Sequence, residues 1–257
     1  MVAVGQLAPG PEAEANWSVA LRLIERAAAS SAKLLVLPEQ TMLNQQPGDP
    51  AAFARLADQT WAWWPEALAK AARRFSIALV AGGFASSEDE DPRPSNVLVA
   101  VNAVGQVVAI QPKTRLYDAF SYRESEMVRP GPPDAGAPVE LAGLRLGLIN
   151  CYELRFPERA RALVAAGAEV LTLSAAWVRG PLKEDHWLTL ARARAIENCA
   201  YLLAAGTRAK DTIGRSMIID PGGVIRAGLA DEPEGIALAE IDSELVAATR
   251  ARTASLP

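Results

Sequence analysis

Apolar and polar residues follow two different periods along this chain. Short, nearly continuous apolar runs predict buried strands, and longer segments with one apolar side at a period of about 3.6 residues predict helices. Strands are predicted at residues 2–7, 34–37, 77–84, 96–101, 106–110, 144–149, 170–173, 201–206, 215–219 and 236–240. Helices are predicted at residues 13–29, 51–74, 157–166 and 184–198, with a last short helix beginning near Asp242.

The order of these elements predicts the fold class. Helices separate several of the strands, which favours parallel pairs, whereas turn sequences at 102–105 and 220–223 predict hairpins, the second of them between strands 215–219 and 236–240. Residues 111–138, rich in Pro, Gly and charge, form a long irregular segment. Because no linker divides the chain, we expect a layered α/β fold in a single domain over residues 1–257.

Composition and charge exclude several classes of protein. Half of the residues are hydrophobic (50%), yet no apolar run approaches the roughly 18 residues that a membrane span needs. The opening MVAVGQLAPG resembles a first strand rather than a signal peptide. A net charge of −4 without a basic cluster argues against nucleic acid as a partner, and the acidic run SSEDEDPRP is expected to be a solvated loop.

The cysteine count indicates a reducing compartment. Cys151 and Cys199 are the two cysteines, too few for a disulfide framework, and neither lies in a Cys/His cluster with metal-ligand spacing. We therefore expect a cytoplasmic protein with no metal and no cofactor. The apolar surroundings of Cys199 in AIENCAYLL predict a buried, inert thiol.

Cys151 lies where a strand ends and a helix soon begins. The run 144–149 stops at Asn150, and Pro157 and Glu158 are typical of a helix start. A sharp turn after a strand presents a side chain at the edge of a sheet, as nucleophiles are presented in α/β enzymes, and a helix N-terminus beyond it would stabilise a thiolate. The alternative is a small buried hydrophobic residue, and this segment alone leaves the two interpretations equal.

A nucleophilic thiol needs a proton acceptor and an oxyanion donor. His186, the single histidine, lies at a polar helix start in KEDHW and is more typical of a surface position. Glu39 directly follows the buried strand LLVLP, where burial would raise its pKa toward neutrality. Lys113 also follows a strand. Because strand ends meet at one edge of an α/β sheet, Glu39, Lys113 and Cys151 are expected to converge.

Three segments carry a resemblance to a known family. LVLPE, PKTRLYDAF and GLINCYELRFPE resemble the Glu-Lys-Cys regions of the nitrilase superfamily, the carbon–nitrogen hydrolases, and the resemblance extends over almost the whole chain. In YRESEMVRPG, Glu124 occupies the place of a second glutamate common in that family. The resemblance implies a four-layer α-β-β-α sandwich, commonly paired as a homodimer or larger homo-oligomer.

The resemblance also implies roles for these residues. Glu39 would be the general base, Cys151 the nucleophile that forms a thioester, and Glu124 the residue that holds Lys113 and the substrate in place. Lys113 and the backbone N–H of Tyr152 would stabilise the oxyanion. Glu153 stands where relatives often carry Asp. This difference either changes the contacts with the substrate or has no effect.

The CYELRFPE context most resembles the omega-amidase and deaminated-glutathione amidase branch. It implies a small linear amide as substrate, such as the monoamide of a dicarboxylic acid. Arg155 could bind a substrate carboxylate or one of the glutamates near it, and Trp177 could be a pocket wall or a core residue. The alternatives are an N-carbamoyl amino acid hydrolase, a Cys–His hydrolase that uses His186, and a catalytically silent interaction module.

Overall fold

Two six-stranded sheets lie face to face in the computed structural model, which describes residues 1–44, 48–87, 90–120, 122–133 and 136–253. The acidic run predicted as a loop lies partly outside these residues. The first sheet has the order β14-β1-β2-β3-β4-β5. Its strands are β1 (Val2–Gln6), β2 (Leu34–Val36), β3 (Ala78–Ala85), β4 (Ser95–Val101), β5 (Val107–Pro112) and β14 (Gly235–Ala239).

The second sheet has the order β13-β12-β11-β10-β9-β8. Its strands are β8 (Val139–Leu141), β9 (Leu144–Asn150), β10 (Val170–Ala175), β11 (Tyr201–Gly206), β12 (Met217–Ile219) and β13 (Ile225–Gly228). A separate two-stranded hairpin, β6 (Asp118–Ala119) and β7 (Tyr122–Arg123), lies in the segment that was predicted to be irregular.

Six α-helices are described, and all but the last cover the outer faces of the two sheets. They are α1 (Ala13–Ala29), α2 (Pro50–Trp61), α3 (Trp64–Phe75), α4 (Pro157–Ala165), α5 (Lys183–Asn198) and α6 (Ser243–Thr253). The first three pack on the first sheet in one apolar core, and α4 and α5 pack on the second sheet in another. None of the described helices is both long enough and apolar enough to cross a membrane.

A third apolar core fills the space between the sheets, and alternation along the strands explains how one strand serves two cores. Val2 and Val4 of β1 point into the space between the sheets, whereas Ala3 points toward the helices. Successive strand residues point to opposite faces, so strands covered on both sides are apolar throughout. This arrangement is the four-layer α-β-β-α sandwich that the resemblance implied.

The single helix predicted over residues 51–74 is wrong in one respect, because the segment forms two helices. The break falls at residues 62–63, and Pro65 occupies the first turn of α3. In a continuous helix Pro65 could not donate to the carbonyl of Trp61, and its ring would clash with that carbonyl. The hydrophobic period continues through the break, which is why the pattern alone suggested one helix.

The predicted hairpin near the C-terminus is also corrected. The turn at 220–223 leads from β12 into β13, whereas β14 lies in the other sheet and pairs antiparallel with β1. The sequence pattern missed β13 because it is a partly charged edge strand with exposed residues.

Candidate active site

Both sheets contribute residues at one end of the sandwich. Glu39 follows β2, Lys113 follows β5 and Cys151 follows β9. Asn96, near the start of β4, reaches the same end because β4 runs antiparallel to β3 and β5. The predicted convergence of Glu39, Lys113 and Cys151 is therefore present, although it is built from two facing sheets rather than from one edge.

Lys113 joins two buried carboxylates. Its Nζ atom lies 2.7 Å from Oε1 of Glu39 and 2.8–2.9 Å from both carboxylate oxygens of Glu124. All three side chains are only 2–3% exposed. Buried ions remain charged when they are paired and hydrogen-bonded, and here one cation serves two anions.

These contacts decide where the protons reside. Burial by itself raises the pKa of Glu39, but the charge and hydrogen bond of Lys113 outweigh it and bring that pKa below its usual value. Burial lowers the pKa of Lys113, yet Glu124 and Glu39 raise it well above the ordinary value. Glu39 is therefore a carboxylate, and the expectation that burial brings its pKa toward neutrality is wrong because Lys113 is so close.

Cys151 lies beside this carboxylate, and each of the two side chains shifts the pKa of the other. Its backbone has φ of +47°, an uncommon conformation for a residue with a Cβ, and it opens a 3-10 turn (Cys151–Arg155) before α4. Burial, followed by the charge of Glu39, raises the pKa of the Cys151 thiol well above its usual value. The resting sulfur is thus protonated, and the stabilised thiolate expected from a helix N-terminus is not the resting form.

Several groups that the sequence did not single out complete the cluster. The side-chain amide of Asn96 donates to Glu39 at 2.8 Å and to Glu124 at 3.0 Å, and its oxygen accepts from Asn150. The backbone N–H of Ala176 donates to Glu39, and that of Tyr117 donates to Glu124. A lone asparagine near the start of a strand has no distinctive sequence pattern.

Glu153 serves the backbone rather than the pocket. Its carboxylate accepts hydrogen bonds from the backbone N–H and the hydroxyl of Thr114 and from the backbone N–H of Asn150. It thereby ties the segment after Lys113 to the turn that carries Cys151. Glu153 therefore positions the two segments and does not line the cavity.

A cavity of about 490 Å³ opens above Cys151. Tyr152, Arg155 and Trp177 all line it, and so do residues that sequence reasoning did not single out, among them Tyr117, Phe120, Tyr122 and Lys183. The guanidinium of Arg155 lies 4.9 Å from the centre of the Trp177 ring. Trp177 is only 4% exposed. It forms a wall of the cavity and is also part of the apolar core behind that wall.

His186 also lines the cavity, but its side chain interacts with Arg155. The two side chains approach to 3.4 Å through Nδ1 of the imidazole. The Cys151 thiol interacts with the carboxylate of Glu39 instead. This geometry resembles a thiol–carboxylate pair rather than a Cys–His pair.

Comparison with known proteins agrees with this geometry. Residues 1–251 match the family model described as carbon-nitrogen hydrolase. The chain is 39% identical to the deaminated glutathione amidase of Escherichia coli O157:H7 over 256 residues, which cover 98% of this chain and 94% of that protein. It is 34% identical to the human protein of the same name over 257 residues, covering 94% of this chain and 76% of that protein.

Solved structures show the same fold. The NitFhit protein of C. elegans superposes with a TM-score of 0.90 at 30% identity; the match covers 98% of this chain and 63% of that one. A carbon-nitrogen hydrolase from Helicobacter pylori G27 gives a TM-score of 0.88 at 22% identity, covering 99% of this chain and 94% of that one. The predicted sandwich and the predicted branch are both confirmed. The chain therefore belongs to the carbon–nitrogen hydrolase family, the nitrilase superfamily, and is a hydrolase of carbon–nitrogen bonds.

Proposed function

We propose that this enzyme hydrolyses a small linear amide through a thioester on Cys151. The observation that carries the proposal is the contact between the Cys151 thiol and a Glu39 carboxylate that Lys113 keeps ionised, beneath an open cavity. A protonated thiol beside an ionised carboxylate is a nucleophile with its base in place.

In the first half-reaction, Glu39 takes the proton of Cys151 while the sulfur attacks the amide carbon. The oxyanion that forms is stabilised by Lys113 and by the backbone N–H of Tyr152. The carbon–nitrogen bond then breaks, the Glu39 proton passes to the leaving nitrogen, and an acyl thioester remains. Ammonia leaves from a primary amide, and an amine leaves from a substituted one.

In the second half-reaction, Glu39 removes a proton from water, whose oxygen attacks the thioester carbon. The same two donors stabilise the second oxyanion. The carbon–sulfur bond breaks, the sulfur regains a proton from Glu39, and a carboxylic acid is released. Glu124 holds Lys113 through two hydrogen bonds and keeps its Nζ atom within reach of both steps.

The substrate class we propose is the monoamide of a dicarboxylic acid. Arg155 faces the cavity and supplies a planar cation suited to a carboxylate, while Trp177 forms the wall behind it. Relatives named deaminated glutathione amidase support an amide as the bond that is broken.

The test is product release from a panel of dicarboxylate monoamides, N-carbamoyl amino acids and nitriles. We expect turnover of the monoamides, loss of turnover in Cys151→Ala, and activity largely retained in His186→Ala. Carbon dioxide released together with ammonia would favour the carbamoyl hydrolase.

Alkylation by iodoacetamide tests whether the thiol is activated. We expect Cys151 to be alkylated before Cys199, and more slowly in Glu39→Gln. Equal alkylation of the two cysteines, together with no turnover, would favour the silent interaction module.

We further propose a single domain over residues 1–257 that acts in the cytoplasm as a homodimer or larger homo-oligomer. Exposed apolar side chains support association: Leu188 and Ile196 of α5 are 37% and 48% exposed, and Val224 and Ile225 are 55% and 45% exposed. Light scattering coupled to size-exclusion chromatography would test it, and a monomer at micromolar concentration would contradict it.

A further inference from the structure

The charges around the cavity are unevenly paired. On one side, Lys113 pairs with Glu39 and Glu124. On the other side are Lys183 and Arg155, and among the described residues no carboxylate lies within ion-pair distance of either. In addition, Nε of Arg155 is buried and has no hydrogen-bond partner in the described part of the chain.

Lys183 is the more unusual of the two cations because it is buried. The residue is 8% exposed, at the start of α5. Its Nζ atom donates to the hydroxyl of Tyr117 at 3.1 Å and lies 4.1 Å from the centre of the Phe120 ring. An ammonium group has three N–H donors. One neutral hydroxyl and the faces of aromatic rings do not satisfy all three.

The surroundings of Lys183 disfavour its charged form. Burial, followed by the charge of Arg155, lowers the pKa of Lys183. A bound anion would offset both effects, because it supplies a charge partner and uses the free donors. Both cations also lie within 6 Å of the centre of the Trp177 ring, so they share one wall of the cavity.

We propose that Lys183 is a specificity-determining residue that binds a carboxylate of the substrate. This inference rests on the proposed function and extends it: Lys183 makes the enzyme select anionic amides over neutral amides of the same length. Tyr117 and Phe120 pack around the ammonium group and direct it toward the cavity. Neutral substrates leave the unpaired cations of this wall without a partner.

The test compares Lys183→Met and Lys183→Arg with the unaltered enzyme on glutaramate and on the neutral amide pentanamide. Methionine keeps the apolar stem and removes the charge. Loss of one charged hydrogen bond should lower kcat/KM for glutaramate roughly 10- to 100-fold, mostly through KM. Activity on pentanamide should change less than about twofold, and Lys183→Arg should restore most of the preference for glutaramate. Lys70→Met, on the exposed surface of α3, is the matched control.

Binding without turnover separates this inference from the proposed function. In a Cys151→Ala background, calorimetry should show that glutarate binds and that Lys183→Met weakens this binding by a similar factor. Equal losses on the anionic and the neutral amide, or unchanged glutarate binding, would overturn the role of Lys183 while leaving the amidase intact. An enzyme that binds glutarate through Lys183 but turns over no amide would instead overturn the proposed function.

Discussion

At the scale of single residues, the site depends on how many donors hold Glu39. Its carboxylate accepts from Lys113, from the amide of Asn96 and from the backbone N–H of Ala176, and it contacts the Cys151 thiol. These donors fix the orientation of both oxygens and favour the ionised form. A carboxylate held in this way can receive a proton from Cys151 without moving.

Glu39→Gln should retain the fold and remove most of the activity. Glutamine has nearly the same shape but cannot take up the thiol proton, so we expect kcat to fall by about 10²–10⁴ while KM changes little. Steady-state kinetics on a dicarboxylate monoamide would measure this. Glu66→Gln, on the exposed surface of α3, should leave kcat unchanged, and a Glu39→Gln variant with normal kcat would exclude Glu39 as the base.

Asn96→Ala should affect both stability and activity. It removes a donor shared by Glu39 and Glu124 and leaves the Asn150 amide without its partner, which should cost about 1–3 kcal/mol of the free energy of unfolding. We also expect a lower kcat because the carboxylates become less well oriented.

Urea unfolding and kinetics would measure both effects of this change. Asn102→Ala is the control for activity: it also removes side-chain hydrogen bonds, in a hairpin turn away from the cavity, and should leave kcat unaltered. Unaltered kcat in Asn96→Ala would contradict a positioning role for Asn96.

At the scale of elements, close packing of β3 against the segment after β2 sets the position of Glu39. A Cβ atom added to Gly82 would lie 1.8 Å from the backbone oxygen of Glu39. No side chain fits there, so glycine in the middle of β3 lets the Glu39 backbone cross close to the sheet.

Gly82→Ala should therefore displace Glu39 or prevent folding. We expect a large loss of Tm and of activity, because the clash is with backbone atoms that cannot rotate away. Gly10→Ala is the matched control, since a Cβ there would meet its nearest atom at 4.0 Å. Equal Tm values for the two variants, from thermal unfolding followed by circular dichroism, would contradict this account of the packing.

At the scale of the whole molecule, the buried charges make stability depend on pH. The pKa of Glu39 is lower in the folded protein than the value of about 4.3 expected in the unfolded chain. Its contribution to stability is therefore complete above that pH and is lost as the pH falls through the folded-state pKa.

The free energy of unfolding should decrease below about pH 4, and Glu39→Gln should show a smaller decrease over the same interval. Urea unfolding of both proteins at pH 7 and at acidic pH would compare the two decreases. An identical decrease in the two proteins would mean that Glu39 does not carry this dependence.

Local patterns in the sequence were enough to predict most of the elements and the identity of the reactive groups. Helix 13–29 was predicted with its observed bounds, because an amphipathic period over 17 residues is a strong local signal. Glu39, Lys113 and Cys151 could be singled out because each polar residue interrupts an apolar run at a strand end. Glu124 could be found only through the resemblance, since a glutamate in a charged segment has no local pattern of its own.

How these groups act on one another depends on the three-dimensional structure. Whether Glu39 or Cys151 holds the proton depends on the distance to Lys113, which is 74 positions away from Glu39 along the chain. Asn96, Glu153 and Lys183 acquire their positions from contacts between separate elements, which leave no periodic trace in the sequence. Hydrophobic patterning determines the layers because burial acts residue by residue, whereas pKa values and hydrogen-bond networks depend on the three-dimensional proximity of distant residues.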